Sequence, residues 1–241
     1  AEGIGLFRIE HMFYGKNSET PLAKLRKMIL SKTDDERRSA LAELEPFIKA
    51  SVKSTMRVMD GKPVTFRLLD PPLHEFVPQT TEKREELAKE LGISETDIEQ
   101  RGESLHEVNP MMGHRGVRLH ITYPMISETQ FRAIFTAAAE LIEEGLNPMP
   151  EIMIPVTISD RELSFQKAIC DKVKAEVEGA TIRRPIEYKY GTMIEIPRAA
   201  LIADRMARTA EFFSFGTNDL TQMTFGFSRD DVGTFMGDYL G

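Results

Sequence analysis

Two acidic residues, Glu195 and Asp219, stand where an α/β protein places its chemistry. Glu195 ends an apolar, strand-like stretch, and Asp219 follows the bulky stretch 212–215 after a break at Gly216. The two acids are 24 residues apart, a spacing that fits one strand–helix–strand repeat, so neighbouring parallel strands would bring their carboxylates together. Such a pair suits Mg²⁺, which binds through one or two carboxylates and substrate oxygens. The simpler alternative is that both acids only cap helices.

Three arginines, Arg8, Arg67 and Arg115, lie at or near the ends of predicted strands or turns. A guanidinium group donates two parallel hydrogen bonds to phosphate or carboxylate oxygens, which a lysine cannot do. Taken singly, each arginine is more simply part of a surface or structural ion pair. Placed together beside a carboxylate-bound cation, they predict a site for a small ligand with several negative charges.

The composition excludes several other classes of function. The chain has 241 residues and a net charge of −7, so nothing favours nucleic-acid binding. No apolar run is long enough for a membrane span, and the start shows no signal-peptide pattern. The single cysteine, Cys170, excludes an internal disulfide and fits a reducing compartment. We expect a location in the cytoplasm or in an organelle such as a plastid or glycosome.

Alternating strand and helix patterns predict an α/β fold with a parallel sheet. The predicted strands are 3–7, 63–69, 151–156, 188–196 and 211–215. Segment 112–121 is either a further strand or a tight turn. Functional residues at successive strand ends favour a (β/α)8 TIM-barrel type that is incomplete, with about six of eight units. Charged helical patterns interrupt this rhythm at 71–110, where we expect a helical insertion.

Two local signals concern helix boundaries. Pro46 is expected to split the long helical pattern 34–59, because proline lacks a backbone N–H. Ser127 and Gln130 are expected to cap the strongly amphipathic helix that follows.

Five separated stretches resemble the phosphoenolpyruvate-utilising enzymes, nearly end to end. The signature is GTMIEIPRAA followed by FFSFGTNDLTQ, and the sequences that flank it are most similar to the dikinase branch of that family. The flanking stretches are GLFRIEHMF, FRLLDPPLHEF and NPMMGHRGVRL. The resemblance implies that residues 1–241 are a phosphoenolpyruvate/pyruvate-binding barrel domain with an insertion at 71–110.

The resemblance also assigns roles to the residues singled out above. Arg8 and Arg67 would hold the substrate anion, Arg115 would complete this catalytic cluster, and Arg67 would serve the substrate and not the fold. Glu195 and Asp219 would bind Mg²⁺ and face the substrate. The remaining implied substrate contacts are Gly216, Thr217 and Asn218.

A reaction and a set of partners follow from the same resemblance. The phosphoryl group of phosphoenolpyruvate would pass to a histidine on a separate domain, and Mg²⁺ with arginines would stabilise the enolate of pyruvate. The overall reaction would convert ATP, pyruvate and phosphate to AMP, phosphoenolpyruvate and diphosphate. The implied partners are the phosphohistidine domain, a nucleotide-binding domain and a second copy in a homodimer, with no nucleic acid and no membrane.

In that family, the cysteine that protonates the enolate lies beyond the sixth barrel strand, in a segment that this chain lacks. Cys170 falls within a predicted helix and is expected to be a buried packing residue. We therefore expect a truncated fragment that is inactive by itself. His11 and His114 lie beside site arginines, where they would either shape the site or have a plain structural role.

Two alternatives remain. Within the same class, the chain would belong to phosphoenolpyruvate synthase or to enzyme I of the sugar phosphotransferase system, although LLDPPLHEF and the long insertion favour the dikinase branch. In another class, it would be a non-catalytic ligand-binding fragment.

Overall fold

The computed structural model describes residues 1–15, 18–181 and 184–241. Within these residues, five strands form one sheet in which each strand pairs in parallel with the next along the chain. The strands are β1 (Ile4–Arg8), β2 (Pro63–Arg67), β3 (Met149–Ile154), β4 (Lys189–Ile194) and β5 (Phe212–Phe215). They curl into half of a barrel, which confirms the predicted α/β fold of an incomplete (β/α)8 type.

Helices occupy the connections between the strands. They are α1 (Glu19–Leu30), α2 (Asp34–Val58), α3 (Thr81–Leu91), α4 (Glu95–Leu105), α5 (Gly116–Thr122), α6 (Pro124–Glu143), α7 (Asp160–Thr181), α8 (Pro197–Leu201), α9 (Ala203–Met206), α10 (Thr217–Phe225) and α11 (Met236–Leu240). Short 3-10 helices cover Ile9–Phe13, Leu73–Phe76, Pro110–Met112 and Val232–Thr234. In the described ranges, every helix is too short or too polar to span a membrane.

The core lies between the sheet and its covering helices. Strands β2, β3 and β4 are largely buried, as expected for parallel strands with both faces covered. Helix α6 packs against both α2 and α7. The edge strands β1 and β5 are more open, with Leu6 39% and Phe215 64% exposed. Because all five strands are parallel, their carboxyl ends lie at the same edge of the sheet, which is called the mouth below.

Segment 112–121 is neither the strand nor the tight turn that the sequence allowed, and the described residues form five strands where about six units were expected. Most of the segment forms α5, which is separated by three residues from the 3-10 helix Pro110–Met112. The predicted insertion is present, because α3 and α4 lie between β2 and α5. The hydroxyl of Ser94 caps α4 by accepting a hydrogen bond from the backbone N–H of Asp97 at 3.0 Å.

Two helix boundaries differ from their predictions. Helix α2 continues through Pro46, since its packing against α1 and α6 offsets the loss of one helical hydrogen bond. Helix α6 starts at Pro124, whose fixed φ suits a first helical position. Ser127 and Gln130 therefore lie inside the helix, where both are buried.

A buried histidine, His120, lies on α5, the helix that follows the insertion. Its Nε2 contacts the Gln130 amide at 3.4 Å, and its backbone carbonyl accepts a hydrogen bond from Gln166 at 3.0 Å. The Oε1 of Gln130 accepts the backbone N–H of Leu69 at 2.7 Å. Burial lowers the pKa of His120 to about 4, although the negative charge of Asp70 opposes the shift.

His120 should make the fold less stable at acidic pH. In the unfolded chain the imidazole takes up a proton near pH 6.5, and in the folded protein only near pH 4. The unfolded state binds more protons between these values, so the free energy of unfolding should fall as the pH falls through this window. The total loss should be at most about 3 kcal/mol.

Denaturant unfolding at a series of pH values from 7.5 to about 4 measures this slope. His120→Gln should flatten the slope whatever its effect on stability at pH 7.5. The matched control is His11→Gln, at an exposed position, which should keep the wild-type slope. Equal slopes for His120→Gln and wild type would contradict the assignment.

Candidate functional site

One cavity of about 420 Å³ opens at the carboxyl ends of the strands. All the site residues proposed from the sequence line it, although they come from four strand ends and the start of two helices. The lining residues are Leu6, Arg8, Arg67, Asp70, Pro71, Pro72, Glu75, Arg115, Met193, Glu195, Phe215, Gly216, Thr217, Asn218, Asp219 and Arg229. Four of these are arginines and four are acids, so the wall carries both signs of charge in equal number.

Two of the arginines form a buried ion-pair network in the floor of the cavity. The Nη2 of Arg67 lies 2.6 Å from Glu10 Oε1 and 3.3 Å from Asp70 Oδ2. Arg115 donates to both Asp70 oxygens, at 3.2 Å from Nε and 2.6 Å from Nη2. Burial alone would lower the pKa of Arg67, but the charges of Asp70 and Glu10 outweigh it, and the net shift is upward.

This network changes the interpretation of Arg67. The sequence suggested that Arg67 serves the substrate and not the fold, yet its side chain is only 9% exposed and pairs with two buried acids. A buried charge that loses its partner destabilises a protein strongly. Arg67 therefore contributes to the fold as well as to the cavity wall.

The other two arginines, Arg8 and Arg229, are exposed at the rim. Arg8 ends β1, and Arg229 lies in the loop after α10. The backbone N–H of Arg229 donates to the side-chain oxygen of Gln222. Neither guanidinium makes an ion pair within the described ranges. Their donors remain available to an anion that enters the mouth.

Glu195 directly follows β4 and points into the cavity, with 3% of the residue exposed. Its Oε1 accepts the backbone N–H of Val156 at 2.7 Å, and no cation pairs with it among the described side chains. Burial raises the pKa of Glu195 to about 7, the negative charge of Asp70 adds to the rise, and the Val156 hydrogen bond opposes it. The protein's own charges therefore leave this carboxylate under-compensated.

Gly216, the residue after β5, packs closely against the side chain of Glu195. Strands β4 and β5 pair Ile194 with Phe215, and the Gly216 N–H donates to the Ile194 carbonyl at 2.9 Å. A Cβ at Gly216 would lie 2.6 Å from the Cβ and 2.7 Å from the Oε2 of Glu195. Only glycine fits this close approach.

The polar trio after Gly216 starts a helix. The sequence placed Thr217, Asn218 and Asp219 at the end of the strand, whereas they form the first turn of α10. Asp219 is half-buried, and its charge reaches Arg115, where it favours the charged guanidinium. The register thus brings Asp219 to the same cavity as Glu195, as the sequence spacing predicted.

The donor set at Glu195 and Asp219 fits a hard divalent cation. Two carboxylates face one cavity, and the more buried one, Glu195, makes no ion pair with a described side chain, so that the charge of Arg67 only partly offsets its burial. In the described part of the chain, no three acidic, histidine or cysteine side chains converge on one metal position. Such a pair suits Mg²⁺, which keeps several waters and substrate oxygens around itself.

The remaining residues considered from the sequence lie away from the cavity. His114 contacts Thr122 at 2.9 Å, and His11 lies on the 3-10 helix after β1. Cys170 is fully buried on α7, where its Sγ lies 3.8 Å from the Tyr188 hydroxyl. Burial raises the pKa of the Cys170 thiol to about 12, so the prediction of a packing residue is confirmed.

Cys170→Ala should leave turnover of the full-length protein within about twofold of wild type, because the thiol touches no group of the cavity. The measurement is kcat and KM per folded molecule. The matched variant is Asn218→Ala, which removes a side chain of the cavity itself and should lower turnover. A loss of turnover in Cys170→Ala at unchanged folded fraction would place the thiol in the chemistry.

Sequence reasoning missed the carboxylate partners and one arginine of the cavity. Asp70 could have been found, because it follows β2 at the same sheet edge as the other site residues. Glu10 carries the same signal, because it follows β1 by two residues. Arg229 carries none, since a loop after α10 brings it to the cavity.

The sequence matches the family described as PEP-utilising enzyme, PEP-binding domain, over residues 1–236. Pyruvate, phosphate dikinase of Clostridium symbiosum is 52% identical over 99% of this chain and 27% of that protein. Pyruvate, phosphate dikinase 1, chloroplastic, of Arabidopsis thaliana is 52% identical over 100% of this chain and 25% of that protein. The dikinase of Giardia intestinalis is 50% identical over 100% of this chain and 27% of that protein.

The chain thus spans about a quarter of the length of the curated relatives that it matches. The family match covers both acids, the arginines and the glycine around which the cavity is built. The chain belongs to the PEP-utilising enzymes and carries their PEP-binding domain.

Proposed function

We propose that residues 1–241 form the domain that runs the phosphoenolpyruvate/pyruvate half-reaction of a pyruvate, phosphate dikinase. The observation that carries the proposal is the convergence on one small cavity of two rim arginines, the under-compensated carboxylate of Glu195 and the carboxylate of Asp219. Phosphoenolpyruvate has a phosphate and a carboxylate, and such a ligand needs both kinds of partner. The relatives at about half identity are named for the same reaction.

The substrate anion would lie between the rim and the floor of the cavity. Arg8 and Arg229 present guanidinium donors at the mouth, and Arg67 and Arg115 hold positive charge at the floor. The backbone and side chains of Gly216, Thr217 and Asn218 complete the wall. Because Arg67 and Arg115 are fixed by Asp70 and Glu10, little reorganisation is needed when charge develops on the substrate.

Glu195 and Asp219 would hold Mg²⁺. The bound cation supplies positive charge for the enolate oxygen that develops as the phosphoryl group leaves. The residues of this chain bind and orient the substrate, and the buried floor keeps its charges away from bulk water. The phosphoryl group would pass to a histidine of a separate domain, and the proposal includes a nucleotide-binding domain and a homodimer.

The assay of the full-length protein is conversion of ATP, pyruvate and phosphate to phosphoenolpyruvate and diphosphate, with Mg²⁺ present. A dikinase requires inorganic phosphate, so omission of phosphate should abolish diphosphate formation. Turnover of pyruvate without phosphate would instead favour phosphoenolpyruvate synthase. Mg²⁺-dependent binding of phosphoenolpyruvate without any turnover would favour a non-catalytic ligand-binding role.

A further inference from the structure

The backbone at Val156 is unusual. Val156 has φ +60, and no other non-glycine residue in the described ranges has a positive φ. A β-branched side chain disfavours this left-handed conformation, so the surrounding contacts must hold it. Val156 lies two residues after the end of β3, and its N–H is the donor that holds the Glu195 carboxylate.

Gly116, at the start of α5, closes on Val156 from the other side. It has φ +56, and a Cβ there would lie 2.8 Å from Val156 Cγ2 and 3.1 Å from the Pro155 carbonyl oxygen. The Gly116 N–H donates to the Asp70 carbonyl at 3.0 Å, and the Val117 N–H donates to the Pro155 carbonyl at 3.1 Å. The start of α5 therefore joins the ends of β2 and β3.

The far side of the turn is fixed as well. Thr157 Oγ1 lies 2.6 Å from Thr192 Oγ1, and the Thr192 hydroxyl donates to the Ile154 carbonyl at 2.7 Å. All these groups are buried. Contacts from the end of β2, from α5 and from β4 thus fix the backbone around the Val156 amide.

We propose that Val156 and Gly116 are positioning residues for Glu195, a role that rests on the proposed function of this carboxylate as a metal ligand. Neither residue lines the cavity, so neither touches the ligand. The Val156 N–H fixes Oε1, which leaves Oε2 turned toward Gly216 and the cavity. Because Gly116 directly follows Arg115, the same turn couples the carboxylate to the arginine floor.

The test is Mn²⁺ binding by the full-length protein, with crystal structures of the same variants. Gly116→Ala should push the Val156 turn away and lower Mn²⁺ affinity by about 10-fold or more, the usual effect of losing a group that orients a metal ligand. Val156→Gly keeps the N–H, tolerates the positive φ and removes the clashing side chain. The double variant Gly116→Ala/Val156→Gly should therefore recover part of the affinity, because the positive φ of residue 116 and the close approach to the Pro155 carbonyl remain.

The matched control is Gly145→Ala. Gly145 also has a positive φ of +88, but open space surrounds it, so this variant should lose stability and keep Mn²⁺ affinity. Gly116→Ala that binds Mn²⁺ as well as Gly145→Ala would overturn the proposal. A double variant no better than Gly116→Ala would also overturn it.

The crystal structures separate this proposal from the metal assignment. In Gly116→Ala the Val156 N to Glu195 Oε1 distance, 2.7 Å in the wild type, should exceed hydrogen-bonding range, and in the double variant it should return. An unchanged distance in Gly116→Ala would overturn the positioning role. Wild-type Mn²⁺ affinity in Glu195→Gln would instead refute the proposed metal ligand.

Discussion

Replacing Glu195 by glutamine should lower the affinity for Mg²⁺ or Mn²⁺ by about 100-fold while the protein stays folded. A neutral amide is a poor ligand for a hard cation. The fold should survive because the glutamine carbonyl can still accept the Val156 N–H that now donates to Oε1. The variant also removes a buried charge that the protein compensates poorly, so it should be no less stable than wild type.

Mn²⁺ titration of the wild type and of Glu195→Gln measures this effect, with a melting curve for each. Asp219→Asn should show a similar loss. Glu75→Gln is the matched control, because Glu75 is an exposed carboxylate at the rim of the same cavity, and its affinity should stay near wild type. Equal affinity in all four proteins would sink the metal assignment.

Asp70→Asn should have the largest effect on stability, a loss of about 3–5 kcal/mol in the free energy of unfolding. Asp70 is 3% exposed and neutralises two guanidinium groups, those of Arg67 and Arg115. Without its charge, Arg67 would keep one ion pair, with Glu10, and Arg115 would keep none among the described residues. Turnover should also fall, because both arginines would lose their fixed orientation in the floor.

Denaturant unfolding at pH 7.5 gives the stability of Asp70→Asn. The control is Asp97→Asn, which breaks the exposed pair between Asp97 and Lys32 and should not change stability measurably. If Asp70→Asn unfolds at the same denaturant concentration as wild type, the buried network does not hold the floor together.

The sequence predicted most of the site because strand ends can be read from hydrophobic pattern. Arg8 and Arg67 end their strands and Glu195 directly follows one, so their convergence followed from parallel topology alone. Arg115 lines the same cavity from a different element than expected, since it precedes a helix and is not part of a strand. Asp219 does so too, from the first turn of α10.

What the sequence could not predict depends on tertiary contacts. The pairing of Arg67 with Glu10 joins residues 57 positions apart, and no local pattern selects that partner. The left-handed backbone of Val156 runs against the preference of a β-branched residue. The tertiary contacts from α5 and β4 around Val156 hold this conformation.

The reaction proposed for this cavity is the interconversion of phosphoenolpyruvate and the pyruvate enolate. Its most direct test is exchange of isotope between labelled pyruvate and phosphoenolpyruvate by the full-length protein with Mg²⁺ and without nucleotide. Wild type should exchange the label, and Glu195→Gln at the same folded fraction should not. Absence of exchange in wild type, or equal exchange in both proteins, would contradict the account.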